Sequence, residues 1–340
     1  MRSNGESRLI LPSENCTKQH AFGLQALIGN PLRHNPVLRI MSEGVEHNGI
    51  TRRRFLNLSL AAAGGILALE PRRSTAGAKN GQVRWAFLSD THIAADSEYN
   101  HRGHYPYRNL EKTFTQIASD LPEGVVVTGD LARLTGHMTD YENFRKLLLP
   151  LVGQRPIYLA LGNHDNRKNF LDVFEKPAGE RQPVKDKVVI AADAGPVRFI
   201  LLDSLVFPHE VAGLLGKAQR TWLQRYLQAT DDKPVILFFH HSLRDDARDL
   251  IDLPYLFQIV KPVTKVKAFV FGHSHEYAYS QFEGIHLINL PAVGYNLTEE
   301  QPVGWVEAQL TSEGGTFRLH AVGGNDESNG RVQELRWRSR

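Results

Sequence analysis

The chain has 340 residues, 40 Lys and Arg against 37 Asp and Glu, and a formal net charge of +3 at pH 7. With 41% hydrophobic and 23% charged residues, its composition is that of a globular protein and excludes wholesale disorder, collagen and coiled coil. A single Cys excludes an intramolecular disulfide framework and a cysteine-rich zinc site, whereas 15 His form a larger supply of metal ligands.

Residues 1–50 show no sustained helical or strand period and are broken by Pro12, Gly23, Gly29, Pro31 and Pro36. Thr51-Arg52-Arg53-Arg54-Phe55-Leu56 follows, then an apolar run from Leu58 to Leu69. Ala76-Gly77-Ala78 then offers a small-residue cleavage site. The run is shorter than the roughly 20 apolar residues of a bilayer-spanning helix. Its order of basic, apolar and small residues reads as an export signal, ahead of the alternative of a buried amphipathic helix. It resembles a twin-arginine signal with Arg52 and Arg53 as the pair, an address read by a receptor. The resemblance implies the twin-arginine translocation machinery as partner and a periplasmic or secreted mature protein without a membrane anchor. The pair lies far from Met1, and Met41 stands just upstream. Translation is therefore expected to start at Met41, with 1–40 a wrongly assigned extension and 41–78 the signal peptide. Residues 1–78 hold 10 of the Lys and Arg and 5 of the Asp and Glu, which leaves the remainder at −2. The basic balance thus gives no argument for a nucleic-acid partner.

From residue 79, apolar runs alternate with helical patterns. Strands are predicted at Val83–Leu88, Gly124–Thr128, Pro156–Leu161, Val188–Ala191, Val197–Leu202, Pro234–Phe239, Lys267–Phe271 and Ile285–Leu290. Helices are predicted between them at Asn109–Ala118, Asp140–Leu151, Asn169–Glu175, Lys217–Gln228 and Asp246–Ile259, and closing strands at Gly304–Leu310 and Thr316–Val322. The strand runs are apolar at consecutive positions, as in sheets covered on both faces. Residues 79–325 are expected to form one α/β domain, followed by a frayed basic tail at 326–340.

Polar clusters stand at five strand ends. Val83–Leu88 leads to Ser89-Asp90-Thr91-His92, Gly124–Thr128 to Gly129-Asp130, and Pro156–Leu161 to Gly162-Asn163-His164-Asp165. Pro234–Phe239 leads to His240-His241, and Lys267–Phe271 to Gly272-His273-Ser274-His275. Ligand sites of α/β sheets gather beyond the carboxyl ends of strands. Asp90 and His92 are two apart, as are His273 and His275, so an extended backbone would point each pair one way. Each cluster alone is an ordinary turn or a satisfied pair of core histidines. Five at the same structural position, with complementary N and O donors and no thiolate, point to Zn, Mn, Fe or Co. The donors outnumber one ion's needs and suit a two-metal site.

In this order, Asp-x-His, Gly-Asp, Gly-Asn-His-Asp, His and Gly-His-x-His resemble the calcineurin-like metallophosphoesterase superfamily, over residues 83 to about 320. Gly162-Asn163-His164-Asp165-Asn166-Arg167 with Phe170 and Phe174, and Gln219-Arg220-Thr221-Trp222-Leu223, are similar to its cyclic-nucleotide and glycerophosphodiester phosphodiesterase branch. The resemblance implies a four-layer α/β/β/α sandwich and two divalent or mixed-valence ions (Fe, Mn, Zn or Co). One ion would take Asp90, His92 and His275, the other Asn163, His240 and His273, with Asp130 as the bridge. His240 is preferred to His241 because the family's ligand directly ends its strand. His164 is implied as a catalytic residue that is not a ligand and that protonates the leaving oxygen. Asp165 would orient His164 or serve as a cap or turn residue.

The implied reaction is attack of a metal-bound hydroxide on a small phosphate ester, a diester ahead of a monoester. Gly129-Asp130-Leu131-Ala132-Arg133-Leu134 departs from the Gly-Asp-x-Val-Asp-Arg-Gly of phosphoprotein phosphatases. Arg133 also stands where purple acid phosphatases place a metal-bound Tyr. Arg167, His101, His104, Tyr105 and Tyr107 are possible substrate contacts, though such residues are more often simple surface groups. An exported metal-binding envelope protein with vestigial activity, and a nuclease, are the alternatives.

Overall fold

The computed structural model describes residues 81–339 apart from 175–177 and 245. The expected start at Met41, the extension 1–40 and the signal 41–78 lie outside these residues. The described chain begins with β1 (Val83–Leu88), α1 (Pro106–Ser119), β2 (Gly124–Val127), α2 (Met138–Leu148), β3 (Ile157–Leu159) and α3 (Arg167–Val173). It continues with β4 (Glu180–Arg181), β5 (Ile190–Ala194), β6 (Val197–Leu201), α4 (Gly216–Ala229), β7 (Val235–Phe238), α5 (Leu253–Val260) and β8 (Val266–Phe271). Then follow β9 (Ala278–Phe282), β10 (Ile285–Asn289), β11 (Pro302–Leu310), β12 (Gly314–Gly324) and β13 (Val332–Arg336).

The strands form a six-stranded sheet ordered β13-β12-β11-β1-β2-β3 and a seven-stranded sheet ordered β4-β5-β6-β7-β8-β10-β9. Parallel neighbours are β1-β2-β3, at one end of the first sheet, and β6-β7-β8, at the centre of the second. Alternation along the strands explains the continuous apolar runs. Val83, Trp85 and Phe87 point into the core between the sheets, whereas Ala86 and Leu88 join the core under α1, α2 and α3. Ile236 and Phe238 of β7 face the other sheet, and Val235 and Leu237 face α4 and α5. Three apolar cores therefore separate four layers, the expected α/β/β/α sandwich. Between the sheets Phe87, Phe199 and Phe238 pack edge to face, with Phe87 and Phe238 centroids 5.0 Å apart. On the helices, Leu110, Phe114 and Ile117 form a buried stripe at spacings of four and three.

Three strands lack a sequence signal. β4 has two residues, and β9 is a mostly exposed edge strand. β13 corrects the expected frayed tail at 326–340, because it pairs with β12 from Arg336 opposite Gly314 to Val332 opposite Arg318. Beyond it, Trp337 is buried in the core between the sheets and donates from Nε1 to the Thr311 carbonyl at 3.1 Å. Arg338 donates to the carbonyls of Val260, Val263 and Val266 at 3.0, 2.7 and 3.0 Å. One aromatic anchor and one guanidinium fork thus fix a segment whose charge alone reads as solvated.

The helix expected at Asp246–Ile259 is shorter at its start. Asp246 turns the chain by accepting from Arg248 N–H at 2.9 Å, and Asp252 accepts from Leu215 and Gly216 N–H at 3.0 and 2.9 Å. Pro254 sits in the first helical turn, where its missing N–H leaves no bond unmade, and the helix runs only over Leu253–Val260. Among the described residues no helix is long and apolar enough to cross a membrane.

Candidate metal centre

The carboxyl ends of β1, β2, β3, β7 and β8 bring Asp90, His92, Asp130, Asn163, His240, His273 and His275 together, as the strand-end clusters imply. All but His273 are buried. Close approach is enforced by glycine: a Cβ on Gly272 would collide with Ser89 and Asp90, and one on Gly162 with Asp130. The extended backbone expected around Asp-x-His and His-x-His is not found. Asp90, His92, Asp130, His273 and His275 all have positive φ, between 47° and 72°. The side chains converge through left-handed turns beyond the strands, a conformation that non-glycine residues hold only where the surroundings impose it.

Hydrogen-bond directions assign the imidazole tautomers. Nδ1 of His275 lies 2.6 Å from the Tyr295 carbonyl and Nδ1 of His92 lies 3.4 Å from that of Arg133. Carbonyls only accept, so both Nδ1 atoms carry the proton and both Nε2 atoms present lone pairs. Those two Nε2 atoms face each other at 3.1 Å. Likewise Nε2 of His273 donates to the Arg248 carbonyl at 3.0 Å, which leaves its Nδ1 lone pair 2.9 Å from Oδ1 of Asn163. Nε2 of His240 lies 3.2 Å from the same Oδ1 and 3.3 Å from Oδ2 of Asp130. Facing electron pairs need a proton or a metal ion between them, and the nitrogen and oxygen donors gathered here fit metal ions.

Asp90, His92 and His275 bring donor atoms within 4.8 Å of one another, as do Asp90, Asp130 and His240. His92, Asp130 and His164 form a third such group. Oδ2 of Asp130 stands between the others, 3.7 Å from Nε2 of His92 and 3.3 Å from Nε2 of His240. Its Oδ1 accepts from the His164 N–H at 2.8 Å. Around Asp90, Ser89 donates to Oδ2 at 2.5 Å and Thr128 donates to Ser89 at 2.6 Å.

The electrostatics agree. Burial opposes ionisation of Asp90, yet His275 and His240 hold its pKa well below the carboxylate range. Burial likewise opposes ionisation of Asp130, and His240 and His164 hold it down. Burial alone would lower His240, but the Asp130 and Asp90 carboxylates push it up to about 9. Burial lowers His92 to about 3, and burial with the neighbouring His240 lowers His273 to about 4. The cluster thus holds two carboxylates and neutral His92 and His273, the state in which these groups ligate metals, together with a proton on His240 that a metal ion would displace.

His164 lies at the edge of the cluster. Its Nδ1 donates to the Leu134 carbonyl at 2.8 Å, and its Nε2 is 3.9 Å from Oδ2 of Asp130. Asp165 does not orient it. The Asp165 carboxylate turns away and accepts from the N–H groups of Leu131, Ala132 and Gly162 at 3.2, 3.1 and 2.8 Å, and from the Tyr141 hydroxyl at 3.0 Å. Burial and the nearby Asp130 charge raise its pKa to about 6. Its work is to clamp the loops bearing Asp130 and Asn163, which corrects the catalytic role expected from sequence. Tyr141, the other half of this clamp, carries no sequence signal for it.

His241 is fully buried beside the cluster, with Nδ1 2.7 Å from Ser204 Oγ and its ring 4.8 Å from that of His273. Arg167 forms a two-pronged pair with buried Asp203, at 2.6 and 2.7 Å, and so is structural. Gln219 is structural too, exchanging hydrogen bonds with the Asp203 backbone at 2.9 Å in both directions. His101 packs on Tyr295 at 4.1 Å, and Tyr295 covers His92 and His275 at 4.8 Å each. Tyr295 escaped the sequence reading because it lies outside every strand-end cluster. Above the cluster opens a cavity of about 440 Å³, with Arg244 and Arg248 on its wall.

Comparison with known proteins agrees with this geometry. A 3',5'-cyclic adenosine monophosphate phosphodiesterase of Pseudomonas aeruginosa is 28% identical over 229 residues, covering 65% of this chain and 80% of its own. A glycerophosphodiester phosphodiesterase of Enterobacter lignolyticus (strain SCF1) is 26% identical over 219 residues, covering 61% and 76%. The fold is similar to that of a dimetal phosphatase from Danio rerio, with a TM-score of 0.59 at 16% identity over 75% of this chain and 99% of the other. Residues 83–277 match the model of the calcineurin-like phosphoesterases. The chain belongs to that family and is a metal-dependent phosphoric ester hydrolase.

Proposed function

We propose that the protein hydrolyses small phosphodiesters at a centre of two divalent or mixed-valence ions. The facing lone pairs of His92 and His275 carry this reading. Asp90, His92 and His275 would hold one ion and Asn163, His240 and His273 the other, with Asp130 shared between them. Nitrogen and oxygen donors without thiolate suit Fe, Mn, Zn or Co. When bound, such ions supply Lewis-acid charge that polarises phosphoryl oxygens and activates water.

The chain's own residues do the rest. Asp130 remains ionised and holds the two ligand groups in register. Nε2 of His164 faces the cluster from the cavity side, where it can hold the proton destined for the leaving oxygen. Its Nδ1–H, fixed on Leu134, keeps the ring in that orientation. Arg244 and Arg248 on the cavity wall are paired with Asp249, Glu276 and Asp246 of the same wall, so the positive charge that meets an anionic substrate would come from the metal ions. The relatives named as phosphodiesterases support a diester ahead of a monoester.

Export through the twin-arginine pathway to the periplasm or beyond is part of the proposal. Its support is the order of Arg52-Arg53, the apolar run and Ala76-Gly77-Ala78.

Hydrolysis of bis-p-nitrophenyl phosphate and p-nitrophenyl phosphate with Mn(II), then with chelator, tests the activity. Turnover of the diester that chelator abolishes is the expected result. No turnover of either ester with Mn(II), Zn(II), Co(II) or Fe(II) would overturn the reading.

A further inference from the structure

The loop between β6 and α4 enters the site from a side that no ligand motif occupies. His209 in this loop donates its N–H to the Asn163 carbonyl at 2.6 Å, which ties the loop to the ligand-bearing turn after β3. His209 has φ of 69°, in the left-handed region that a histidine adopts only under constraint. Among the described residues nine non-glycine positions have positive φ, and five of the other eight are Asp90, His92, Asp130, His273 and His275. His209 thus shares with the ligand turns the backbone geometry that aims side chains at this site.

The turn sets the His209 imidazole beside that of His164, with ring centroids 5.6 Å apart. His209 is exposed, and two residues further on Val211 lines the cavity. Nε2 of His164 lies 3.9 Å from Oδ2 of Asp130, and His209 stands beside the same ring. A leaving group whose oxygen meets Nε2 of His164 would come within reach of the His209 imidazole. An imidazole there offers an N–H donor for an alcohol hydroxyl.

We propose that His209 contacts the leaving group of the ester and favours breaking the P–O bond to an alcohol that carries a further hydroxyl, so that water and glycerophosphocholine give glycerol and phosphocholine. This inference rests on the phosphodiesterase reading above. It is tested by comparing wild type, His209→Ala and His209→Asn on glycerophosphocholine and on bis-p-nitrophenyl phosphate, with metal content measured in each. His209→Ala should raise KM for glycerophosphocholine about tenfold, the loss of one hydrogen bond. It should also shift kcat/KM against the hydroxyl-bearing ester by about the same factor, with metal content unchanged. His209→Asn keeps an N–H donor and tolerates the left-handed backbone, so it should recover most of the loss. An active wild type with unchanged KM and substrate ratio in His209→Ala would overturn this inference alone. Loss of metal in both variants would overturn it too and make the His209 imidazole a support of the metal centre. A wild type inert toward both esters with Mn(II) would overturn the phosphodiesterase reading along with it.

Discussion

Nε2 of His92 and Nε2 of His275 face each other at 3.1 Å with both ring protons committed elsewhere, to the carbonyls of Arg133 and Tyr295. Without a proton or a metal ion between them this contact opposes folding; a metal ion makes the two nitrogens a pair of ligands. Metal should therefore stabilise the fold. At about 100 times its Kd, Mn(II) should contribute about 2.7 kcal/mol, a rise in Tm of about 5–10 °C for a domain of this size. Differential scanning calorimetry with and without Mn(II) checks this, and an unchanged Tm at saturating metal would count against it.

The proton on His240 gives that stabilisation a pH dependence. In the metal-free protein Asp130 and Asp90 push the pKa of His240 from 6.5 up to about 9 despite its burial. A folded value above the unfolded one stabilises fully below about pH 6.5, and the contribution is lost as pH rises through about 9. Metal must displace the same proton, so apparent affinity should increase about tenfold per pH unit between about 7 and 9. The metal-free Tm should fall over the window in which binding tightens. Titration calorimetry at pH 7, 8 and 9 measures the affinity, and a flat profile would exclude His240 as a ligand.

His164 and Asp165 are adjacent in sequence and should fail differently. His164→Ala removes a group that faces the cavity and makes one hydrogen bond, to the Leu134 carbonyl, so kcat should fall about 10²–10⁴-fold with metal content retained. Asp165→Ala leaves three buried N–H groups and the Tyr141 hydroxyl without their acceptor, at about 3–5 kcal/mol. Its signature should be a lower Tm and weaker metal binding, and Tyr141→Phe should show a milder form of both. A His164→Ala variant that loses its metal, or an Asp165→Ala variant of normal Tm, would reverse these assignments.

The chain end offers a test of the fold itself. Trp337 is buried between the sheets, so Trp337→Ala should destabilise by about 3–5 kcal/mol. Denaturant unfolding measures it, and a loss under 1 kcal/mol would show the segment to be the frayed tail that its charge suggests.

These residues also show where sequence legibility ends. The ligands were readable because parallel strands end at one place in the fold, so polar clusters after apolar runs mark that place. Cover on both faces of the sheets was readable because the strands are apolar at consecutive positions, whereas the four-layer arrangement came from the family resemblance. The backbone that aims the ligands was not: Asp-x-His reads as extended, yet Asp90 and His92 have φ of 53° and 47°. Asp165 was misread because its partners, Tyr141 and the amides of Leu131 and Ala132, come close only after folding. β13 was missed because one Trp and one Arg anchor it, and neither has a period.

The central claim is a pair of metal ions that share Asp130. Equilibrium dialysis of the folded protein against Mn(II), with bound metal measured per chain, tests it most directly. Wild type should bind two ions, His92→Ala one, and Asp130→Ala fewer than wild type with hydrolysis of bis-p-nitrophenyl phosphate abolished. A saturated stoichiometry of one ion in wild type, or two ions undiminished in Asp130→Ala, would contradict it.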